Sequence, residues 1–281
     1  MKEKERLDIL LVERGLHKSR EQARRSIMAG EVRVDGGRID KPGTRIPVDC
    51  EIEVARPAVE YVSRGGIKLE AALREFDVSV KDKVAIDIGA STGGFTDCLI
   101  KHGARRVYAV DVGYGQLAWE LRQDPRVVNI ERTNIRYLDA ARVPEKADII
   151  TIDVSFISIR KFLPRLKEFL APNGRIISLI KPQFEAGREQ VGKKGVVRDP
   201  QVHRKTLSDI IDFVASNSFH IKGLTFSPIK GPEGNIEYFL HLGLEPGEAS
   251  SRPGEVEVGP DVDVDEVVRR AHAALNGDPA R

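Results

Sequence analysis

Apolar residues follow two kinds of pattern along the 281 residues, and the change comes near residue 60. In the first stretch Leu7, Leu10 and Leu11 have helical spacing, and Gly15 suits the end of that helix. Ser19 with Gln22 three positions later makes a capping box for a second helix, which turns Ala23 and Ile27 inward and closes at Gly30. Glu31 to Ile39 alternates around Asp35-Gly36, the pattern of a short hairpin, and Asp49 to Val54 supplies a closing strand. After residue 60 short apolar runs recur at 84–89, 107–112, 127–130, 148–153 and 175–181. They read as buried parallel strands, with helices between them at 94–102, 116–122, 160–170 and 200–217. Two later runs, 219–228 and 235–243, flank Lys230-Gly231-Pro232-Glu233-Gly234 and predict a hairpin added at one sheet edge. The alternation predicts an α/β domain around a mostly parallel sheet.

The organisation that follows is a small unit at 1–54, a linker at 55–60 broken by Pro57, a domain at 61–244 and an acidic tail at 245–281. The tail has the Pro/Gly/Ser/acidic composition of a mobile segment, with a short helix expected around 264–275 (Val267, Val268, Ala271, Leu275).

Composition narrows the class. Hydrophobic residues are 41%, enough for a real core. The net charge of +2 names no partner, but its distribution does more. Residues 1–48 hold 12 Lys/Arg against 8 Asp/Glu, whereas 245–265 hold 7 Asp/Glu and one Arg. A basic front end suits an anionic partner. Cys50 and Cys98 have neither metal-ligand spacing nor a histidine cluster, so no metal site is expected and a reducing, cytoplasmic setting fits. The charged start Met1 to Arg6 lacks the apolar core of a secretory leader, and no run approaches the length of a membrane span.

Four polar residues stand where chemistry would be. Lys68 lies in Ser63-Arg64-Gly65-Gly66-Ile67-Lys68-Leu69, which opens a helix. Asp153 and Lys181 end two apolar runs, and Glu237 lies within Asn235 to Leu240. The carboxyl ends of parallel strands are where open α/β sheets bind ligands. Two lysines and two carboxylates gathered there would shift one another's affinity for protons. Separately, Val84 to Ile88, then Gly89-Ala90-Ser91-Thr92-Gly93-Gly94-Phe95-Thr96, reads as strand, small-residue loop and helix start. The dinucleotide pattern GxGxxG is not met, because Ser91 stands at the second glycine position. Asp87 precedes the loop, and Asp111 ends the next strand, where an acid can accept bonds from two ribose hydroxyls.

These residues carry several resemblances. Arg6-Leu7-Asp8, Leu11, Gly15, Ser19-Arg20, Ala23, Ile27, Gly30 and Val32 to Gly36 resemble the S4 RNA-binding domain. That resemblance implies docking on structured RNA through Arg6, Arg20, Arg24, Arg25 and Arg33. Guanidinium groups pair with phosphate oxygens in fork geometry. The loop after Asp87 resembles motif I of class I S-adenosylmethionine (SAM) methyltransferases. By that resemblance Asp87, Gly89, Ser91, Gly93, Gly94 and Phe95 line the cofactor, Asp87 near its cationic end. Asp111 then holds the ribose, and Asn134 lies near the adenine. Binding of NAD is the weaker alternative. Lys68, Asp153, Lys181 and Glu237 resemble the Lys-Asp-Lys-Glu set of FtsJ-type ribose 2′-O-methyltransferases. From about residue 5 to 244 the chain resembles the TlyA family, rRNA cytidine 2′-O-methyltransferases also labelled haemolysin A. The implied architecture is a small α+β S4-like RNA-binding domain followed by a Rossmann-like class I SAM-dependent methyltransferase.

The chemistry implied is proton removal from a ribose hydroxyl and in-line attack on the SAM methyl group. Lys181 is expected as the base or orienting group, with Lys68 tuning it and stabilising oxyanion charge. Asp153 and Glu237 would position the amines, with Asp153 also facing the sulfonium. Arg64 and the loop Glu185 to Gly195, with Arg188, Lys193 and Lys194, are further candidates for contact with rRNA or a ribosomal subunit. Scarce aromatics, with a single Trp119, leave no obvious platform for base stacking. Three other functions compete. A membrane-lysing protein lacks a membrane-length span or strongly basic amphipathic helix here. An inactive SAM-binding module on an RNA-binding protein conflicts with the complete tetrad. A pseudouridine synthase conflicts with the SAM-like loop.

Overall fold

The structure, a computed structural model, describes residues 3–17, 19–54, 60–192, 194–244 and 262–276, except for the side chains of Arg25 and Ala29. The chain divides into two compact units, Met1–Glu60 and Tyr61–Arg281. Residues 55–59 of the expected linker lie outside the described residues, as do 245–261 of the expected tail.

The first unit contains β1 (Lys4–Arg6), α1 (Leu7–Glu13), α2 (Arg20–Ala29), β2 (Val32–Val34), β3 (Gly37–Arg38), β4 (Arg45–Pro47) and β5 (Ile52–Val54). Ser19 Oγ accepts the Gln22 backbone N–H at 3.2 Å, and Gly30 ends α2 with φ +74°. Asp35 and Gly36 both have positive φ, the requirement of the tight turn that joins β2 to β3. Leu7, Leu11, Ala23, Ile27 and Val32 are fully buried together. The β1–β4 pair was not expected. Each strand is three residues long, β4 ends in Pro47, and only Ile46 of β4 is buried, so neither shows a period of two. Pairing with a distant partner, not local pattern, makes them strands.

The second unit contains α3 (Gly65–Glu75), β6 (Val84–Ile88), α4 (Gly94–Lys101), β7 (Arg106–Val110), α5 (Trp119–Gln123), β8 (Val127–Ile130), β9 (Ala147–Ile152), β10 (Leu170–Ile180), α6 (Pro182–Glu185), α7 (Pro200–Ser216), β11 (Phe219–Phe226), β12 (Tyr238–Leu244) and α8 (Val264–Asn276). Its sheet runs β11-β12-β10-β9-β6-β7-β8. The five strands β10, β9, β6, β7 and β8 are mutually parallel, and the antiparallel β11–β12 hairpin occupies one edge, as the late apolar pair predicted. The central parallel strands β6, β7 and β9 are buried along almost their whole length because helices cover both faces.

Two helices differ from expectation. The segment 160–170 is not an α-helix but two short 3-10 segments, Ile159–Lys161 and Leu163–Glu168. Pro164 has no N–H to donate to the Arg160 carbonyl, so a helix begun at Ser158 cannot continue. The helix expected at 116–122 starts later, at Trp119, and buries Leu121. The late helix is longer than expected by one residue, and its Val268 and Ala271 are fully buried in the main core beside α7 and β11. Among the described residues no helix is long and apolar enough to cross a membrane.

Candidate active site

Strand register brings the four polar residues to one edge. Ile88 of β6 lies beside Ile152 of β9, and the Asp153 N–H donates to the Ile88 carbonyl at 2.9 Å. Ile180 of β10 pairs with Tyr238 of β12, so Lys181 and Glu237 occupy the next position across that ladder. Lys68 arrives from α3, whose inner face also buries Leu69, Ala72 and Leu73. The Lys68 ammonium lies 2.5 Å from Glu237 Oε2, with both side chains almost wholly enclosed. Lys181 Nζ lies 2.6 Å from Asp153 Oδ1. That contact is an ion pair without hydrogen-bond alignment, since Oδ1 accepts no bond and Nζ donates instead to Ser155 Oγ at 3.0 Å. The Lys181–Asp153 pair is the more open of the two, at 11% and 22% side-chain exposure. The tetrad is thus two ion pairs of different accessibility.

The small-residue loop follows directly. Gly89 has φ +85°, and a Cβ there would overlap the Asp153 carbonyl oxygen. Glycine at this position therefore lets the loop pass close to the strand end that carries Asp153. Asp111 Oδ2 accepts the Ser91 N–H at 2.8 Å, and Oδ1 accepts the Gly113 N–H at 2.6 Å. A carboxylate has about four acceptor positions, so two remain for ligand hydroxyls. Asn134 Oδ1 caps the turn after it by accepting the Arg136 N–H at 3.0 Å.

Three residues expected at the cofactor turn inward. Asp87 is fully buried, and its oxygens accept the hydroxyls of Thr96 (2.7 Å) and Thr151 (3.0 Å). Burial pushes its pKa up to about 7 against those bonds. It ties β6 to β9 and to the start of α4. Phe95 is 3% exposed and stacks on Phe239 in the core, centroids 6.1 Å apart. At Gly94 a Cβ would meet the Gly65 Cα at 3.0 Å, so this glycine serves the close approach of α4 to α3. The neighbouring Gly93 has φ +101° and sits against Leu117 and Leu121.

The candidate RNA contacts divide. Arg6 and Arg20 both pair with the buried Asp8, each at 2.9 Å, while keeping 38% and 55% of their side chains exposed. The Arg6 hydrogen bonds, with those of Arg20, hold the Asp8 carboxyl below its usual range. Arg24 and Arg33 are exposed, whereas the Arg25 side chain and Lys193 lie outside the described residues. Arg64 donates to the Lys230 carbonyl at 2.9 Å, which fixes the chain before Glu237 to the start of α3. Arg188 and Lys194 are exposed on a loop pinned at both ends. Glu185 accepts the Ser158 hydroxyl (2.6 Å) and the Ile159 N–H (2.8 Å), and Asn235 holds Gly195 and Val197.

The sequence reading missed Ser155 and an aromatic pair. Phe156, three residues past Asp153, is 90% exposed with φ +65°, and its ring lies 4.9 Å from that of Phe184, three residues past Lys181. Their spacing after two strand-end polar residues was the only signal, and it gives position without exposure.

The family model of FtsJ-like methyltransferases matches residues 61–244, and that of the S4 domain matches residues 5–52. The chain belongs to the FtsJ-like methyltransferase family. Its mostly parallel sheet is that of a methyltransferase, joined here to an S4 domain. The family is seen in relatives along nearly the whole chain. The Bacillus subtilis protein YqxC is 55% identical over 97% of this chain and 95% of its own. The 16S/23S rRNA (cytidine-2′-O)-methyltransferase TlyA of Mycobacterium tuberculosis is 44% identical over 90% of this chain and 95% of its own. The solved structure of a Streptococcus thermophilus protein described as a hemolysin superposes with a TM-score of 0.72 at 45% identity, covering 97% of each chain.

Proposed function

We propose that this methyltransferase transfers a methyl group from SAM to the 2′-hydroxyl of a cytidine in ribosomal RNA. The observation that carries the reading is the pair of lysine–carboxylate contacts at one sheet edge, beside the loop that Gly89 brings against Asp153. Support comes from the S4 domain and from the activity named for the M. tuberculosis relative. The residues present fit the cofactor: Asp111 keeps acceptor capacity for ribose hydroxyls, and Ser91 and Thr92 are exposed on the loop, open to a close ligand. Asn134 would hold the adenine end of the bound cofactor, and Asp153 would face its cationic centre. When bound, SAM supplies an electrophilic methyl group.

Lys181, the more open lysine, meets the 2′-hydroxyl as base or orienting group: as the ammonium it orients the oxygen, and only as the neutral amine, its own proton having first left, does it take the hydroxyl proton. Asp153 and Ser155 hold the Lys181 amine in place. The enclosed Lys68 adds positive charge that stabilises the developing oxyanion, and Glu237 fixes Lys68. Phe156 and Phe184 offer an aromatic face to the base whose ribose is presented. Arg24, Arg33, Arg188 and Lys194 contact phosphates.

The test is transfer of tritiated methyl from SAM to unmodified 16S and 23S RNA and to each ribosomal subunit, with Lys181→Ala as the control. Label at a cytidine ribose, lost in the variant while RNA binding persists, is the expected result. Near-normal turnover in Lys181→Ala overturns the assignment of that lysine. No label on any RNA despite SAM and RNA binding overturns the enzymatic reading.

A further inference from the structure

A cavity of about 520 Å³ opens at the far end of the sheet among the start of β11, the body of β12 and the end of α3. Arg175 on its wall lies six residues before Lys181 along β10, about 20 Å at the rise of a strand. The site is therefore separate from the lysine pairs.

Its construction is specific. The β11 ladder shifts register between Ile221 and Gly223, which leaves Lys222 unpaired in the ladder. The Lys222 stem then lies across Gly243, where any Cβ would crowd it. At Gly223 a Cβ would stand 3.0 Å from the Phe76 ring, so glycine admits that ring to the wall. Phe76 in turn packs on His241, centroids 5.1 Å apart. His241 is 3% exposed, and its Nε2 is enclosed without a hydrogen-bond partner. Such an atom bears the full cost of desolvation until a partner arrives. Among the described residues neither Arg175 nor Lys222 makes an ion pair.

We infer that this cavity binds a phosphate group, held by Arg175, Lys222 and the His241 ring. An oxyanion presents several acceptors to three convergent donors, and guanidinium and ammonium groups are the usual partners of phosphate. The volume lies in the range of small-ligand sites, so there is room for a nucleoside attached to the phosphate beside Phe76. The charges around the ring agree. Burial, then Arg175 and Lys222, push the His241 pKa down to about 4, and no carboxylate offsets them. Glu75 and Asp77 also line the cavity but are exposed to solvent, and His220 is the remaining titratable group on the wall. An anion between Arg175 and Lys222 would favour the imidazolium and raise that pKa.

The experiment is NMR of the full chain with carbon-labelled histidine rings, of which there are six. Inorganic phosphate is added at constant ionic strength, and separately a short RNA hairpin. The expected result is a saturable shift of the His241 ring signals, with a rise in its pKa. Lys222→Ala and Arg175→Ala should each weaken phosphate binding by about 5- to 10-fold. Unmoved signals from His102, His203 and His272, none of which lines this cavity, show that the variants are folded. A response to both additions identifies an RNA phosphate as the ligand, and a response to phosphate alone identifies a small phosphate ester. The inference is overturned if His241 responds to neither, if chloride has the same effect, or if both variants respond as the parent does.

Discussion

Replacing Glu237 by alanine would leave the Lys68 ammonium in a site where the lysine side chain is only 8% exposed. Breaking a buried pair from one side costs about 3–5 kcal/mol, because the remaining charge has lost both water and partner. For a domain of 150–250 residues 1 kcal/mol moves the midpoint by about 2–4 °C, so the expected fall is roughly 6–20 °C. The double replacement Lys68→Met, Glu237→Leu removes both charges and keeps apolar volume, and it should recover most of that loss. Its methyl transfer should stay at background, because the lysine that stabilises the oxyanion is gone. Thermal unfolding by circular dichroism and tritium transfer to rRNA, on both variants, read the two effects apart. A midpoint for Glu237→Ala within about 2 °C of the parent would show that Lys68 finds another partner or water, contrary to the enclosed pair. Methyl transfer by the double variant at near-parent rates would reduce the pair to a structural device.

Phe156→Ala should lower kcat/KM on RNA by about 5- to 100-fold, the worth of one stacked base, while leaving thermal stability and SAM affinity unchanged in calorimetry, because a 90% exposed ring leaves no cavity. Asp8→Ala should destabilise the S4 unit by about 1–3 kcal/mol in urea unfolding, and RNA affinity should fall even though loss of a negative charge by itself favours RNA, since Arg6 and Arg20 are held in place by that carboxylate. Because the folded Asp8 pKa lies below its unfolded value, its contribution is complete above the ordinary carboxylate range and disappears as pH falls through the folded value; Asp8→Asn should flatten that acid limb. Asp87 has the opposite sign: its folded pKa of about 7 exceeds the unfolded value of 3.8, so its contribution falls as pH rises from about 4 to 7. The stability difference between the parent and Asp87→Asn, measured by denaturant at several pH values, should shift in favour of the variant across that window.

The apolar periodicity by itself fixed the two pattern regimes, the five parallel strands, the edge hairpin and the turns at Ser19, Gly30 and Asp35-Gly36, because each rests on local spacing or on one residue's backbone preference. It also placed Lys68 at the opening of a helix and Asp153 and Lys181 at strand ends, with Glu237 inside the late apolar run. The order of strands across the sheet came only from the tertiary structure, and with it the pairing of those four into Lys68–Glu237 and Lys181–Asp153. Burial likewise could not be read locally. Asp87 and Phe95 sit beside a ligand loop in sequence, yet Thr96, Thr151 and Phe239, brought from other elements, enclose them. Phe156 shows the converse, a large apolar side chain that the positive φ after β9 turns outward. The cavity around His241 needs a register shift in β11, two glycines and the end of α3 at once. Sequence spacing specifies what each segment prefers, whereas desolvation and ion pairing depend on which distant segments arrive around it.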